Sequence, residues 1–430
     1  MSLRVIEITL KISLPDEPVD FKRFDEILSD ELRRGVEKVV QSWVDEVEKR
    51  EFEGRKRGSL RKEVREACYW RLGFADVRVE RYKVSECKPG GGRTHYHLVD
   101  RLMRMNGKVA PGLRRKAVEL ACDVSYAKAS RRLSAGRLGS ISRMGIHHWV
   151  QKEGKKVRGD HQARVREALS LGAEVTPLEQ RPVVVVETDT TCIPWRKEKG
   201  AHFDVKLGVV YTRKRDCGKN GRRRRMELSD KVVVGSVESS REFGEVVWYE
   251  AQRNFGVMDA EHVFYQSDGD RGLKEIQAMH FPNAHAQVDL WHIMERLCGV
   301  ARGDRKKVSR LARVLYRGDI DGLLMELRLW WAAASTQDQA DKLKELLDYV
   351  EENRDLILVF RRFLGEVDEE TKSLLVTGTG AIEKNIDIVV SHRFKKRGMK
   401  WSKEGARNLL ALRALRMRPR DWEEHWRACA

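Results

Sequence analysis

The chain reads as an α/β core interrupted by an all-helical block and preceded by a mainly helical N-terminal region with a helix-turn-helix. Three observations predict this. Pro182–Pro194, PVVVVETDTTCIP, sets four valines in a row, the pattern of a strand covered on both faces. Strand and helix patterns then alternate as far as Asp289. From Ile293 to Thr377 only helical periodicity remains.

Composition bounds the partners. The 430 residues suffice for two or three domains. Lys and Arg total 84 against 66 Asp and Glu, a net charge of +18, which predicts a polyanion such as DNA or RNA as partner. No apolar run approaches the ~20 residues of a membrane-spanning helix. Seven cysteines without a C-x-x-C pair predict a reducing cytoplasm and argue against a zinc ribbon.

Within residues 1–60, Phe24, Leu28, Leu32, Val36, Val39, Trp43 and Val47 recur three or four apart and predict one amphipathic helix. Its apolar stripe suits packing in its own domain or dimerisation. Residues 61–108 predict a helix and a β-hairpin, with Val77, Val79, Tyr82 and Val84 alternating with charges and a glycine turn after Lys88. Residues 109–158 predict the helix-turn-helix. Pro111 opens one helix, Ser125 caps a second, and a glycine-bearing turn leads to a third with Arg143, His147 and Gln151 on polar faces. Such a helix could bring Arg and Gln to base edges; three ordinary packed helices are the alternative.

The core is expected over 180–292 plus 376–416. Its strands follow at His202–Thr212, Lys231–Val237, His262–Gln266 and Ala284–Val288, with helices at Glu242–Asn254 and Arg271–Met279. Arg213–Arg225 holds eight Lys or Arg, including Arg222, Arg223, Arg224 and Arg225, and predicts a solvated loop suited to phosphates. Three strands finish on carboxylates, Asp189, Asp268 and Asp289. Oxygen ligands of this kind suit Mg²⁺ or Mn²⁺, and two such ions serve phosphoryl transfer. In the block 293–375, helices are expected from Asp319, over Gln337–Glu352 and over Asp355–Leu364, with Trp330 and Trp331 in its core.

The C-terminal stretch 378–410, GTGAIEKNIDIVVSHRFKKRGMKWSKEGARNLL, places Ile382, Ile386, Val389 and Val390 on one helix face and the acids Glu383 and Asp387 four apart. Arg393, Lys395, Lys396, Arg397, Lys400 and Trp401 then form a basic run suited to DNA phosphates. This stretch closely resembles the C-terminal signature of the Lre-type insertion-sequence transposases. More distantly it is similar to the Mutator-like transposases, whose third acid lies in a T-N-x-x-E-x-x-N-like helix.

The resemblance implies a ribonuclease H-like catalytic core with an all-helical insertion. It implies a D-D-E triad of Asp189, Asp268 and Glu383 holding Mg²⁺ or Mn²⁺, two ions in all. The first two acids are 79 positions apart and the last two 115, the second gap containing the helical block. Asp289-Leu290-Trp291-His292 is similar to the D-x-x-H element of Mutator-like relatives, which implies Asp289 and His292 as a site-shaping pair. The neighbouring Asp270 remains an alternative to Asp268. The implied activity is DNA transposition by strand cleavage and strand transfer. The implied partners are double-stranded DNA, as terminal inverted repeats and target, and at least one further copy of the chain, in a cytoplasmic, nucleoid-associated setting. A non-catalytic DNA-binding regulator and a structure-specific nuclease are the competing readings.

Overall fold

The computed structural model describes residues 19–55, 59–88, 90–103, 108–135, 137, 139–220, 223–301, 304–376, 381–396 and 398–429. Two compact units divide the chain, residues 1–150 with 423–430 and residues 151–422.

In the first unit, helix α1 (Phe21–Glu53) is capped by Asp20, whose side chain accepts from the Arg23 N–H. Strands β1 (Leu60–Arg71), β2 (Asp76–Cys87) and β3 (Arg93–His97) form an antiparallel sheet in that order. Val36, Val40, Trp43, Val44 and Val47 of α1 pack with Cys68, Trp70, Val77 and Val79 of the sheet. The expected helix after residue 61 is therefore strand β1. Its Glu, Arg and Lys content favours a helix, but pairing with β2 from Leu60 to Arg71 buries Cys68 and Trp70 two positions apart, and tertiary burial decides. Leu32 and Val39 of the predicted stripe stay exposed.

Helices α2 (Leu98–Leu102), α3 (Pro111–Asp123) and α4 (Tyr126–Ser134) follow, with Pro111 in the first turn of α3 and Ser125 capping α4. The third helix of the predicted helix-turn-helix is much longer than expected. Helix α5 runs unbroken from Arg143 to Ser170, absorbs the separate helix expected near 161–171, and crosses from the first unit into the second. Eight residues separate α4 from α5, more than the three or four of an ordinary helix-turn-helix turn.

The second unit is built on strands β4 (Val183–Pro194), β5 (His202–Tyr211), β8 (Lys231–Ser236), β9 (His262–Ser267) and β10 (His285–Val288). The sheet order is β10-β9-β4-β5-β8. The pairs β4–β5 and β5–β8 are antiparallel, whereas β9 adds in parallel to β4 and β10 in parallel to β9. Between β5 and β8 the basic excursion is no open loop. It forms a two-stranded arm, β6 (Lys214–Asn220) paired with β7 (Arg223–Leu228).

Helices cover both faces of the sheet, as its valine runs require. On one face, Val184, Val186, Val210, Val232 and Val234 pack on Phe243, Val247 and Ala251 of α6 (Ser240–Phe255) and on Leu273 and Ile276 of α7 (Arg271–His280). Gly208 sits beneath α6, where a Cβ would lie 2.9 Å from Val247, so only glycine lets the helix come this close.

Helices α8 (Leu290–Val300), α9 (Arg305–Arg317), α10 (Ile320–Ala332) and α11 (Gln337–Glu352) make the expected helical block around Leu297, Leu311, Leu323, Leu327, Leu343 and Leu347. Trp330 packs against that core and Trp331 is half exposed. The helix expected over Asp355–Leu364 is replaced by two 3-10 turns, with Leu358 in the left-handed region at φ 59°. Phe360 and Phe363 pack against Phe264 of β9 and His285 of β10. Helix α12 (Glu369–Val376) ends the block.

The other face is closed by α13 (Ala381–Ile386), a π-helical stretch Asp387–Lys395, and α14 (Lys403–Arg416); α15 (Pro419–Cys429) follows. No helix of the described residues is long and apolar enough to cross a membrane.

A buried ion cluster ties α5, α6 and the start of α15 together. Glu250, 2% exposed, lies 2.6 Å from Arg418 and 2.8 Å from His161, while Arg253 pairs with Asp421 at 3.0 Å. Burial alone would raise the Glu250 carboxyl, but the charges of Arg418, His161 and Arg253 outweigh it and hold it well below the usual range. Glu250→Ala takes the carboxylate from His161 and leaves Arg253 and Arg418 to share Asp421, and it is expected to destabilise the unit by about 3 kcal/mol, read as a lowered urea midpoint. Because the folded-state pKa is depressed, this stabilisation is present above the ordinary carboxylate pKa and is lost as pH falls towards the folded value. The gap between wild type and Glu250→Ala should therefore close in acid titrations.

Candidate active site

The acids converge where the two sides of the sheet lose register. Asp189 is not at the end of its strand, as the valine run suggests, since β4 continues to Pro194 against β5. The parallel pairing with β9 stops at Glu187–Gln266, however, so Asp189 stands just past the last residue of β4 paired with β9. Side chains alternate along a strand, which puts Glu187 and Asp189 on one face.

Asp268 follows the last residue of β9, and its Oδ1 accepts from the Asp270 N–H at 2.8 Å. Asp270 itself caps α7 by accepting from the Gly272 N–H, which separates the two candidates: Asp268 acts electrostatically on Asp189, and Asp270 closes a helix. Gly269 between them has φ +81°, and a Cβ there would meet the Asn353 side chain at 2.8 Å. From the helical block, the Tyr349 hydroxyl donates to the Asp268 carbonyl at 2.5 Å and fixes this turn. No sequence pattern announced Tyr349.

Asp289, 1% exposed, caps α8 through its Oδ1, which accepts from the Trp291 N–H at 2.8 Å. His292 lies one turn on along α8. One ligand atom from each of Asp189, His292 and Glu383 falls within 4.8 Å of the others. Asp268 lies outside that group, but its charge raises Asp189. The sequence-predicted acids thus come together, with His292 in a closer role than site-shaping alone.

Burial and mutual repulsion make these carboxyls hold their protons more tightly than usual. Burial first, then the charge of Asp268, pushes Asp189 up to about 6. Burial also raises Asp268, against the opposing Asp270 N–H bond. Burial and the facing Asp289 carboxylate push Glu383 up to about 9. Glu383 and Asp289 face each other closely enough to share a proton, and His292 Nε2 is buried without a hydrogen-bond partner among the described residues. Two facing carboxylates can be joined only by a shared proton or a cation. Carboxylate oxygens suit Mg²⁺ or Mn²⁺, and the imidazole adds affinity for the transition metal.

Glu187 has a different task. It is 2% exposed and accepts from the Tyr211 hydroxyl at 2.6 Å and from the Ile382 N–H, in the first turn of α13, at 2.9 Å. It holds the helix that carries Glu383. Asp387, four positions on, turns to solvent and pairs with His392 at 3.2 Å.

The basic residues divide sharply. Arg393 and Trp401, expected at DNA, are buried at 1% and 7% exposure. The guanidinium lies 4.9 Å from the Trp401 ring, and the indole N–H donates to the Phe394 carbonyl, so both belong to the packing that ends the π-helical stretch. Lys395, Lys396 and Lys400 are exposed, and Lys395 donates to Thr191, two positions beyond Asp189. Arg222 and Arg397 lie outside the described residues; Arg223, Arg224 and Arg225 are described as backbone of β7 only. Arg143 is exposed, but His147 packs edge-on against Tyr126. Gln151 accepts from the Asn408 amide at 2.8 Å, which removes that oxygen from base recognition.

An α/β unit with a carboxylate-rich centre is thus the class of structure in hand. Residues 15–427 match the family described as Uncharacterised protein family (UPF0236), and the chain belongs to it. The chain is similar to UPF0236 proteins of Caldanaerobacter subterraneus subsp. tengcongensis. One is 22% identical over 408 residues, 92% of this chain and 77% of its own, and its name joins four locus labels. A second is 23% identical over 408 residues, 92% of this chain and 73% of its own. A third, 22% identical over 358 residues, 82% of this chain and 68% of its own, has a name that joins eleven locus labels.

Metal binding should displace the proton that Glu383 keeps up to about pH 9. Calorimetric titration with Mn²⁺ at pH 7 in buffers of different ionisation enthalpy should report proton release, and Glu383→Gln should remove it. The sign for stability follows. A carboxyl raised on folding contributes stability below its unfolded pKa that is lost as pH rises towards the folded value. Metal-free protein should therefore lose thermal stability between about pH 4.5 and 9, and Mn²⁺ should restore it.

Proposed function

We propose that the chain is an insertion-sequence transposase, a metal-dependent enzyme that cuts and joins DNA strands at a centre of Asp189, Asp268 and Glu383. The observation that carries this reading is the convergence of buried carboxylates without donors, Glu383 and Asp289 above all, beside His292. Under it, the five-stranded sheet, a three-strand antiparallel meander with two strands added in parallel beyond the first, is the ribonuclease H-like core. The helices between β10 and α13 are its insertion. The joined locus labels of the relatives also favour it, since an element that copies itself leaves one sequence at many loci.

Asp189 and Glu383 would hold the metal with His292, and Asp268 would complete the set opposite Asp189. When bound, a divalent pair activates a water or 3′-hydroxyl and stabilises the leaving oxygen. The protein's own part is positional. Tyr349 fixes the turn of Asp268, Glu187 fixes the helix of Glu383, and the Arg296 charge near Asp268 offers a contact for a phosphate. The exposed Lys395, Lys396 and Lys400 and the β6–β7 arm would track the DNA backbone, with a second copy of the chain on the other transposon end.

Asp189→Asn, Asp268→Asn and Glu383→Gln should each abolish Mg²⁺- or Mn²⁺-dependent nicking of a duplex carrying the element's ends, with duplex affinity retained. Wild-type cleavage by any one variant removes that residue from the centre. Binding without cutting by the wild-type protein would favour the regulator reading instead.

Substituting Lys395, Lys396 and Lys400 by Ala should flatten the salt dependence of duplex binding by about 0.9 in log–log slope for each phosphate no longer neutralised. Arg393→Ala should instead lower the melting temperature, because its guanidinium is buried. An unchanged slope in the lysine variants would exclude them from the interface.

A further inference from the structure

The basic arm and the third acid share one hydrogen-bonded root. At the end of β5, the Tyr211 hydroxyl donates to Glu187, whose other oxygen accepts from the Ile382 N–H of α13. At the start of β6, Lys214 donates to the Leu374 carbonyl of α12 at 2.8 Å, with its ammonium 5.4 Å from the Tyr211 ring. Between them, Arg213 pairs with Glu370 of α12 at 3.1 Å. Where the chain returns from the arm, Lys231 of β8 donates to Asn385 Oδ1 of α13 at 3.0 Å. The two sides of the root are tied to each other by the Thr212 N–H to the Asp230 carbonyl at 3.2 Å and the Ser229 N–H to the Arg213 carbonyl at 3.3 Å.

Glu383 lies between Ile382, held by Glu187 of β4, to which Tyr211 also bonds, and Asn385, held directly by Lys231. Lys214 is pushed below the usual lysine range by burial, opposed by the charge of Glu187, as expected for an ammonium enclosed at this junction. Helix α13 runs on without a break into the π-helical stretch Asp387–Lys395 and buries Ile382 and Ile386, and these bonds hold its first turns, which carry Glu383.

We infer that the β6–β7 arm is a DNA-sensing element, and that Tyr211, Lys214 and Lys231 are positioning residues through which strand engagement on the arm sets the placement of Glu383. This rests on the reading of DNA as the partner and Glu383 as the third acid. Engagement of the arm's cations would stiffen its two paired strands and their root, and the root would hold α13 with Glu383 in the group it forms with Asp189 and His292. DNA on the arm would thus hold the assembled centre rigid for the strand it cuts.

The test is hydrogen exchange on the full chain with and without a duplex carrying the element's ends, followed in the arm (214–228) and in α13. In the wild-type protein the duplex should slow exchange in both. Tyr211→Phe and Lys231→Ala should keep duplex affinity within about twofold and keep arm protection, lose the slowing in α13, and cut more slowly by about tenfold or more. Lys231→Arg, which retains a donor for Asn385, should restore both. Thermal melts establish that the variants fold; if one does not, a variant with Arg215–Glu227 replaced by Asn-Gly must lose the response of α13.

Slowing of α13 that persists in the root variants, or that never occurs in the wild-type protein, overturns the coupling. A duplex that is cut while α13 exchange stays unchanged overturns the coupling and leaves the transposase reading standing. A duplex that protects arm and α13 but is not cut supports the coupling and overturns the cleavage reading. A duplex that does not bind overturns both.

Discussion

Glu187 carries the geometry of the centre although its own oxygens are both spoken for. A carboxylate buried in the sheet is tolerable only with donors, and here the donors are a tyrosine hydroxyl from the neighbouring strand and a backbone N–H from the first turn of α13. The first turn of a helix has N–H groups with no partner inside the helix, so the bond satisfies both parties at once. As a result the acid from the far C-terminal part of the chain is brought to the strand that supplies Asp189, with Glu187 two positions before it on the same face.

The remaining acids are arranged in the opposite sense, with too few donors. Asp189 has one N–H bond from Thr190 at 2.6 Å, and Asp268 and Asp289 each accept from the backbone two residues on. These bonds orient the carboxylates without neutralising them, which is why burial and mutual repulsion raise Asp189 and Glu383. The helical block contributes to this arrangement as well. It supplies Tyr349 to the Asp268 turn and Asn353 to the crowded space above Gly269, so its packing reaches the centre even though it interrupts the core in sequence.

The parts legible in sequence were those whose signal is local. The valine strand, the strands expected from 202, 231, 262 and 284, and the caps Ser125 and Asp319 all follow from short patterns, and the structure has them within a residue or two of where they were expected. Strand β1 was illegible because its charged composition suits a helix and only pairing with β2 makes it a strand. The 3-10 turns after Asn353 were illegible because DLILVFRRFL has helical composition and its phenylalanines are claimed by β9 and β10. Charge misled at Arg393 for a related reason. A basic run looks exposed throughout, but the π-helical stretch rotates one of its members inward onto Trp401. Of the site, Asp189, Asp268, Asp289, His292 and Glu383 could be named from sequence and resemblance, while Tyr349 and the docking role of Glu187 exist only in three dimensions.

The balance between an enzyme and a DNA-binding regulator turns on what an unused centre would do to the fold. Buried carboxylates without donors destabilise a protein, and replacing them with well-packed apolar or amide groups is often neutral or favourable. A proton shared between Glu383 and Asp289 would relieve part of that cost, but it leaves His292 Nε2 without a partner and gives no use to Asp189 within reach of both. Tyr349, Glu187 and the root of the arm support these groups with a second layer of bonds. The retained strain and its supports make sense together if a divalent cation enters the centre during the protein's work. A divalent cation is the occupant that would engage all of these groups at once, and it is the occupant the proposed catalytic reading requires.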